Sequence, residues 1–179
     1  MVDPVSLFER AASRAADMVG RVQPGQWHAP TPCREWDVAA LVEHMVAGIG
    51  YVGAALEVEG MAVSVDPPSY RAGVARCVAS LREPGALDGR CMSPAGFEWS
   101  VGDAAAGTAM DQLIHTWDLA VAIGAGRDLD PELVEACVAV FVPQMPDIGR
   151  AAGFVGPEVT VGADASAQDR LLGAMGRHP

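Results

Sequence analysis

The chain has 179 residues, half of them hydrophobic, with 12 basic and 23 acidic side chains and a net charge of −11. That composition excludes a disordered chain, and the singly scattered arginines exclude the basic footprint of a nucleic-acid-binding surface. The length suits one domain with a real core, so residues 1–179 are expected to form a single unit.

Val5, Phe8, Ala12, Ala15, Val19 and Val22 recur in steps of three and four, which predicts a first helix over Val5–Val22, ended by Pro24-Gly25. A proline-bearing loop, HAPTPCREW, then leads to Asp37, an N-cap for a long amphipathic helix from Val38 to about Glu59. Pro67-Pro68 breaks the chain, and Ser69 is the expected cap of a third helix reaching about Glu83 before Pro84-Gly85. RCMSPAGFEWS, Arg90–Ser100, places a Pro-Ala-Gly turn between two short arms and predicts a small hairpin or irregular crossover. Ser100 and Asp103 form a capping-box pattern opening a helix over Val101–Ile123, closed by Gly124 and Gly126. Asp130-Pro131 starts another helix to about Val142, and Ser166 with Asp169 starts a last short one ending at Gly176, with an ordered loop between them. The expected fold class is all-α, with four main helices.

No apolar run is expected to reach the roughly 18–20 residues of a bilayer span, and MVDPVSLFER lacks a basic region followed by an apolar stretch. Cys33, Cys77, Cys91 and Cys137 form no CxxC pair, so a disulfide framework or Cys-based zinc site is not expected. These features point to a cytoplasmic protein with a small-molecule partner, neither nucleic acid nor membrane, and to a homodimer as the oligomer such bundles favour.

Chemistry concentrates in two segments. Asp111 and His115 stand four apart in MDQLIHTWDLA, so both leave one helix face. His44, in LVEHMVAG, sits at the edge of the apolar stripe of the second helix. If the two helices pack with these turns level, two imidazoles and a carboxylate surround one point and leave coordination positions open for water or substrate. Taken from spacing alone, the bland alternatives stay open: a surface Asp–His pair and a structural histidine.

The run TPCREWDVAALVEHMVAG, Thr31–Gly48, resembles the first signature of DinB-like proteins related to mycothiol-dependent maleylpyruvate isomerase, and MDQLIHTWDLAVAIG, Met110–Gly124, resembles the second. PGALDGR and the tail DASAQDRLLGAMGRHP are similar to one actinobacterial subgroup. The resemblance implies a four-helix bundle with a long crossover connection, which PGALDGR fits. It also implies a divalent metal, usually zinc, with nickel, iron or manganese as other choices, held by His44, Asp111 and His115. Family members often carry Glu where Asp111 stands. The isomerase itself has an additional C-terminal domain, for which this chain is expected to be too short.

Three functions follow from that resemblance. The first is a transferase or isomerase in which the metal activates a low-molecular-weight thiol such as mycothiol against a small electrophile. The second is a thiol-independent metalloenzyme of specialised metabolism using Lewis-acid or metal-hydroxide chemistry, and the third is a non-catalytic binding or resistance protein. Around the ligand set, Trp36, Trp117 and Cys33 are pocket-wall residues or packing. Glu43 and Asp118 either support the ligands or face solvent and pair with arginines. Met45, Met110, Cys77, Cys91 and Cys137 read as core, and Arg71, Arg76 and Arg82 as solvent-facing cations, one of which can meet a substrate carboxylate.

Overall fold

Each long helix begins where the sequence supplies a side-chain acceptor. The computed structural model describes residues 3–179. Asp3 accepts from the backbone N–H groups of Val5 and Ser6 and opens α1, Pro4–Val19. Asp37 accepts from Ala40 N–H and opens α2, Val38–Ala55. The cap of α3, Pro67–Leu81, is Asp66 and not Ser69: its carboxylate takes the Ser69 N–H, because Pro67 and Pro68 fit the first helical turn instead of breaking it. Ser100 and Asp103 form the expected reciprocal box at the start of α4, Val101–Ile123, and Gly124 ends that helix in the left-handed region.

The chain divides into two compact units, one running up to Ser93 and resuming over Phe97–Asp128, the other comprising Pro94–Gly96 and Leu129–Pro179. In the first unit α4 packs against α1 and α2, and α3 packs against the same two helices, which makes a four-helix bundle. Ion pairs Arg71–Asp17 and Arg82–Glu9 set α1 antiparallel to α3. Contacts of Tyr70 with the Met45 carbonyl and of Cys77 with the Ile49 carbonyl set α3 parallel to α2. A parallel pair needs a return path, and residues 56–66 provide it, held by the Arg76 guanidinium on the carbonyls of Glu59 and Gly60. The long crossover therefore lies between α2 and α3 and not at Pro84–Arg90, which forms a short turn leading into the hairpin. That hairpin pairs β1, Arg90–Met92, with antiparallel β2, Glu98–Ser100, in the register Arg90↔Ser100 and Cys91↔Trp99.

The core follows the predicted periodicity. Val5, Phe8, Ala12, Ala15 and Val19 are buried on α1, as are Leu41, Val42, Met45, Ile49 and Val52 on α2. The bulk of α4 is buried on all sides, including the polar residues Thr108, Gln112, His115, Thr116 and Asp118. α2 ends four residues before the expected Glu59, and Glu57 takes a positive φ of 52° where the chain turns into the crossover. By length and composition α2 is apolar enough to cross a membrane, at 18 residues and a mean hydropathy of 1.5, which corrects the expectation that no segment qualifies. A core helix of a globular bundle meets the same test, and the buried row from Leu41 to Val52 is what such a helix presents to its neighbours.

In the second unit α5, Pro131–Val140, packs against α7, Ala167–Ala174, around Leu133, Cys137, Leu171 and Leu172. Between them lies α6, Met145–Ala151, where the sequence predicted only loop. Cys137 and Cys77 are buried as expected, whereas Cys91 is half-buried with its sulfur 3.6 Å from the Tyr51 hydroxyl.

Candidate metal centre

The loop before α2, the turn of α2 that carries His44 and the middle of α4 form the site together. Backbone N–H groups of Val38 and Ala39 bond back to the carbonyls of Ala29 and Trp27 and turn residues 27–37 onto the start of α2. Thr31 cross-braces the loop by donating to the Trp36 carbonyl at 2.8 Å and accepting from Cys33 N–H at 3.1 Å. This bracing fixes Trp36 and Cys33 over the two turns of helix that carry the histidines.

His44, Asp111 and His115 converge. The Nε2 atom of His44 lies 3.2 Å from Asp111 Oδ2, and the Nε2 atom of His115 lies 3.3 Å from Asp111 Oδ1. The two imidazoles meet edge to face with centroids 4.8 Å apart, and one donor atom from each of the three residues falls within 4.8 Å of the others. Trp36 lies against both rings, 4.7 Å from His44 and 5.7 Å from His115, so the expected pocket-wall role matches its place. His44 and Asp111 are a third exposed, whereas the His115 side chain is 9% exposed, so the cluster opens to solvent from one side.

Asp118 is fully buried, and its Oδ2 accepts from His115 Nδ1 at 2.9 Å and from the Cys33 thiol at 3.3 Å. The solvent-facing reading of Asp118 is thereby corrected: at three residues past His115 it shares that histidine's face and turns inward. A carboxylate on Nδ1 fixes the imidazole tautomer and presents Nε2 to the cluster, the usual arrangement behind a metal-ligating histidine. Cys33 is a partner of that carboxylate rather than a loop filler. Glu43 is exposed on α2 and takes no part. Trp117 is buried at 4% exposure and serves the core. Arg71, Arg76 and Arg82 are exposed but engaged with Asp17, backbone carbonyls and Glu9, so none faces the cluster.

Burial alone would raise the Asp111 pKa, but the His115 charge and hydrogen bonds from His115 and His44 hold it well below the usual carboxylate range. Burial would lower that of His115. The neighbouring Asp111 charge and hydrogen bonds to Asp111 and Asp118 reverse this and hold it well above the usual imidazole range. The donor set, two imidazole nitrogens and one carboxylate with an orienting acceptor behind, fits a divalent first-row ion such as zinc. Cys33, His115 and Asp118 also bring donor atoms within the same span, but Asp118 and Cys33 both lie at the Nδ1 side of His115.

The family model of the mycothiol maleylpyruvate isomerase N-terminal domain matches residues 8–71, which includes α1 from Phe8 onward, the whole of α2 and His44. Two relatives from Mycobacterium tuberculosis, uncharacterized protein Rv0738 of strain H37Rv and uncharacterized protein MT0763 of strain CDC 1551, are each 32% identical over 162 residues, covering 83% of this chain and 85% of the relative. The chain belongs to the mycothiol maleylpyruvate isomerase N-terminal domain family. Within it, the family-model match reaches the first histidine motif and stops before Asp111 and His115, which the bundle then brings to the same point. No solved structure matches the chain.

Proposed function

We propose that this family member is a divalent-metal-dependent enzyme that activates a small thiol, mycothiol in the first instance, against a small electrophilic metabolite. The observation that carries the reading is the meeting of two Nε2 atoms and the Asp111 carboxylate, with Asp118 fixing the tautomer of His115. His44, Asp111 and His115 would hold the ion, zinc by preference, with nickel, iron or manganese accepted by the same donors. A bound ion supplies Lewis acidity and raises the thiolate fraction of a thiol whose free pKa is about 8.5. With three protein donors the site would leave room for that thiol. Trp36, tilted against both imidazoles, would form one wall beside them. The thiolate sulfur then bonds to an electrophilic carbon. It either displaces a leaving group that departs with the bonding pair, or adds across a double bond and is expelled after rotation, which isomerises the substrate.

The test is a panel of small electrophiles incubated with the protein, with and without mycothiol, before and after chelation. The reading predicts conversion only with thiol and metal together. Conversion that ignores the thiol would replace it with thiol-independent Lewis-acid or hydroxide chemistry, and tight retention of a compound without conversion would replace it with a binding role.

A further inference from the structure

Beneath the cluster, one turn of α4 carries a polar side chain that the chemistry above does not use. Gln112 follows Asp111 directly and is fully buried in the bundle. Its Nε2 donates to the carbonyl of Met45 at 2.8 Å, the residue after His44, and its Oε1 accepts from the Tyr70 hydroxyl of α3. Tyr70 is itself fully buried, and its hydroxyl also lies 3.5 Å from the Met45 carbonyl. A buried amide in an apolar bundle is costly unless both ends are satisfied, and here each end is taken by a different helix. On α2, Gly48 makes room for it: a Cβ there would stand 3.1 Å from Gln112 Nε2 and 3.5 Å from Thr108. Apolar packing between α2 and α4 tolerates sliding, whereas an amide on one named carbonyl fixes a single register.

We propose that Gln112, oriented by Tyr70 and admitted by Gly48, is the positioning residue that locks α2 against α4 so that His44 meets Asp111 and His115. The functional consequence rests on the metal-centre reading above, but the positioning itself does not. It is separable from a purely structural role, because Gln112 bonds to the backbone one residue from a cluster member and sits one residue from another. Losing it should displace the donors more than it unfolds the bundle.

The experiment compares wild type with Gln112→Met, which keeps length and apolar volume, with Tyr70→Phe, which keeps the ring, and with Val74→Ala, a core control on α3. The metal-free proteins are crystallised, and zinc affinity is measured by competition with a chromophoric chelator. Gln112→Met is expected to separate His44 Nε2 from Asp111 in the metal-free protein and to weaken zinc by about 10-fold, the lower end of the cost of losing a group bonded directly to a ligand. Tyr70→Phe is expected to do the same to a smaller degree, and Val74→Ala to lower Tm with the cluster and zinc affinity unchanged. A metal-free Gln112→Met or Tyr70→Phe structure with the wild-type His44–Asp111 distance would overturn the proposal. If wild type binds no zinc while Gln112→Met still displaces His44, the metal reading fails and the positioning role stands.

Discussion

Two histidine–aspartate contacts of similar length lie within a few turns of each other, and they have different meanings. His28 Nδ1 is 3.0 Å from Asp37 Oδ2 at the entrance to α2, and His44 Nε2 is 3.2 Å from Asp111 further along the same helix. His28 is 90% exposed, and Asp37 is already occupied as a helix cap. His44 instead faces a second imidazole, an aromatic wall and a carboxylate, with a buried carboxylate and a buried amide network behind them. Distance therefore does not distinguish a site from a surface pair. Convergence of unlike donors does, together with the cost of burying the groups that hold them in place.

The largest way to break the comparison is His115→Ala. It removes one donor and leaves Asp118 and Asp111 facing a gap, so zinc affinity should fall by more than the roughly 100-fold that marks the upper cost of a residue behind a ligand. The measurement is chelator competition. Next comes Asp118→Asn, which keeps the shape of the acceptor but removes its charge from His115 Nδ1, with an expected loss of about 10–100-fold in the same assay. Asp37→Ala acts only on the first pair. It removes the cap of α2 and should lower Tm by a few degrees in a thermal melt with zinc affinity unchanged.

The smallest effect at neutral pH involves neither pair. Burial pushes the Cys77 thiol up to about 11 and that of Cys137 up to about 12. In the unfolded chain both titrate at about 8.5. Above that value the unfolded state gives up thiol protons that the folded state keeps, so it binds fewer protons and stability falls as pH rises from about 9 to about 12. Urea unfolding across that range should show the decline, and it should be shallower in Cys137→Ala.

Much of this is legible in the sequence. The three- and four-residue steps of α1 and α2, the capping box at Ser100 and the four-residue spacing of Asp111 and His115 each arise from local geometry that the sequence states directly. What was not legible depends on packing. Asp118 shares a face with His115, but only burial of α4 on all sides turns that face inward. Gln112 carries no motif, and its role exists only because Met45 and Tyr70 lie opposite it. Asp66 took the cap from Ser69 because prolines fit a helix start as readily as a break, and α6 forms in a stretch whose prolines and glycines read as loop.

On the proposed function, His44, Asp111 and His115 hold one divalent ion while His28 and Asp37 hold none. Elemental analysis of purified wild type, His28→Ala and His44→Ala tests it most directly. About one equivalent of metal per chain in the first two and almost none in the third is the predicted result. Equal metal content in wild type and His44→Ala would contradict it.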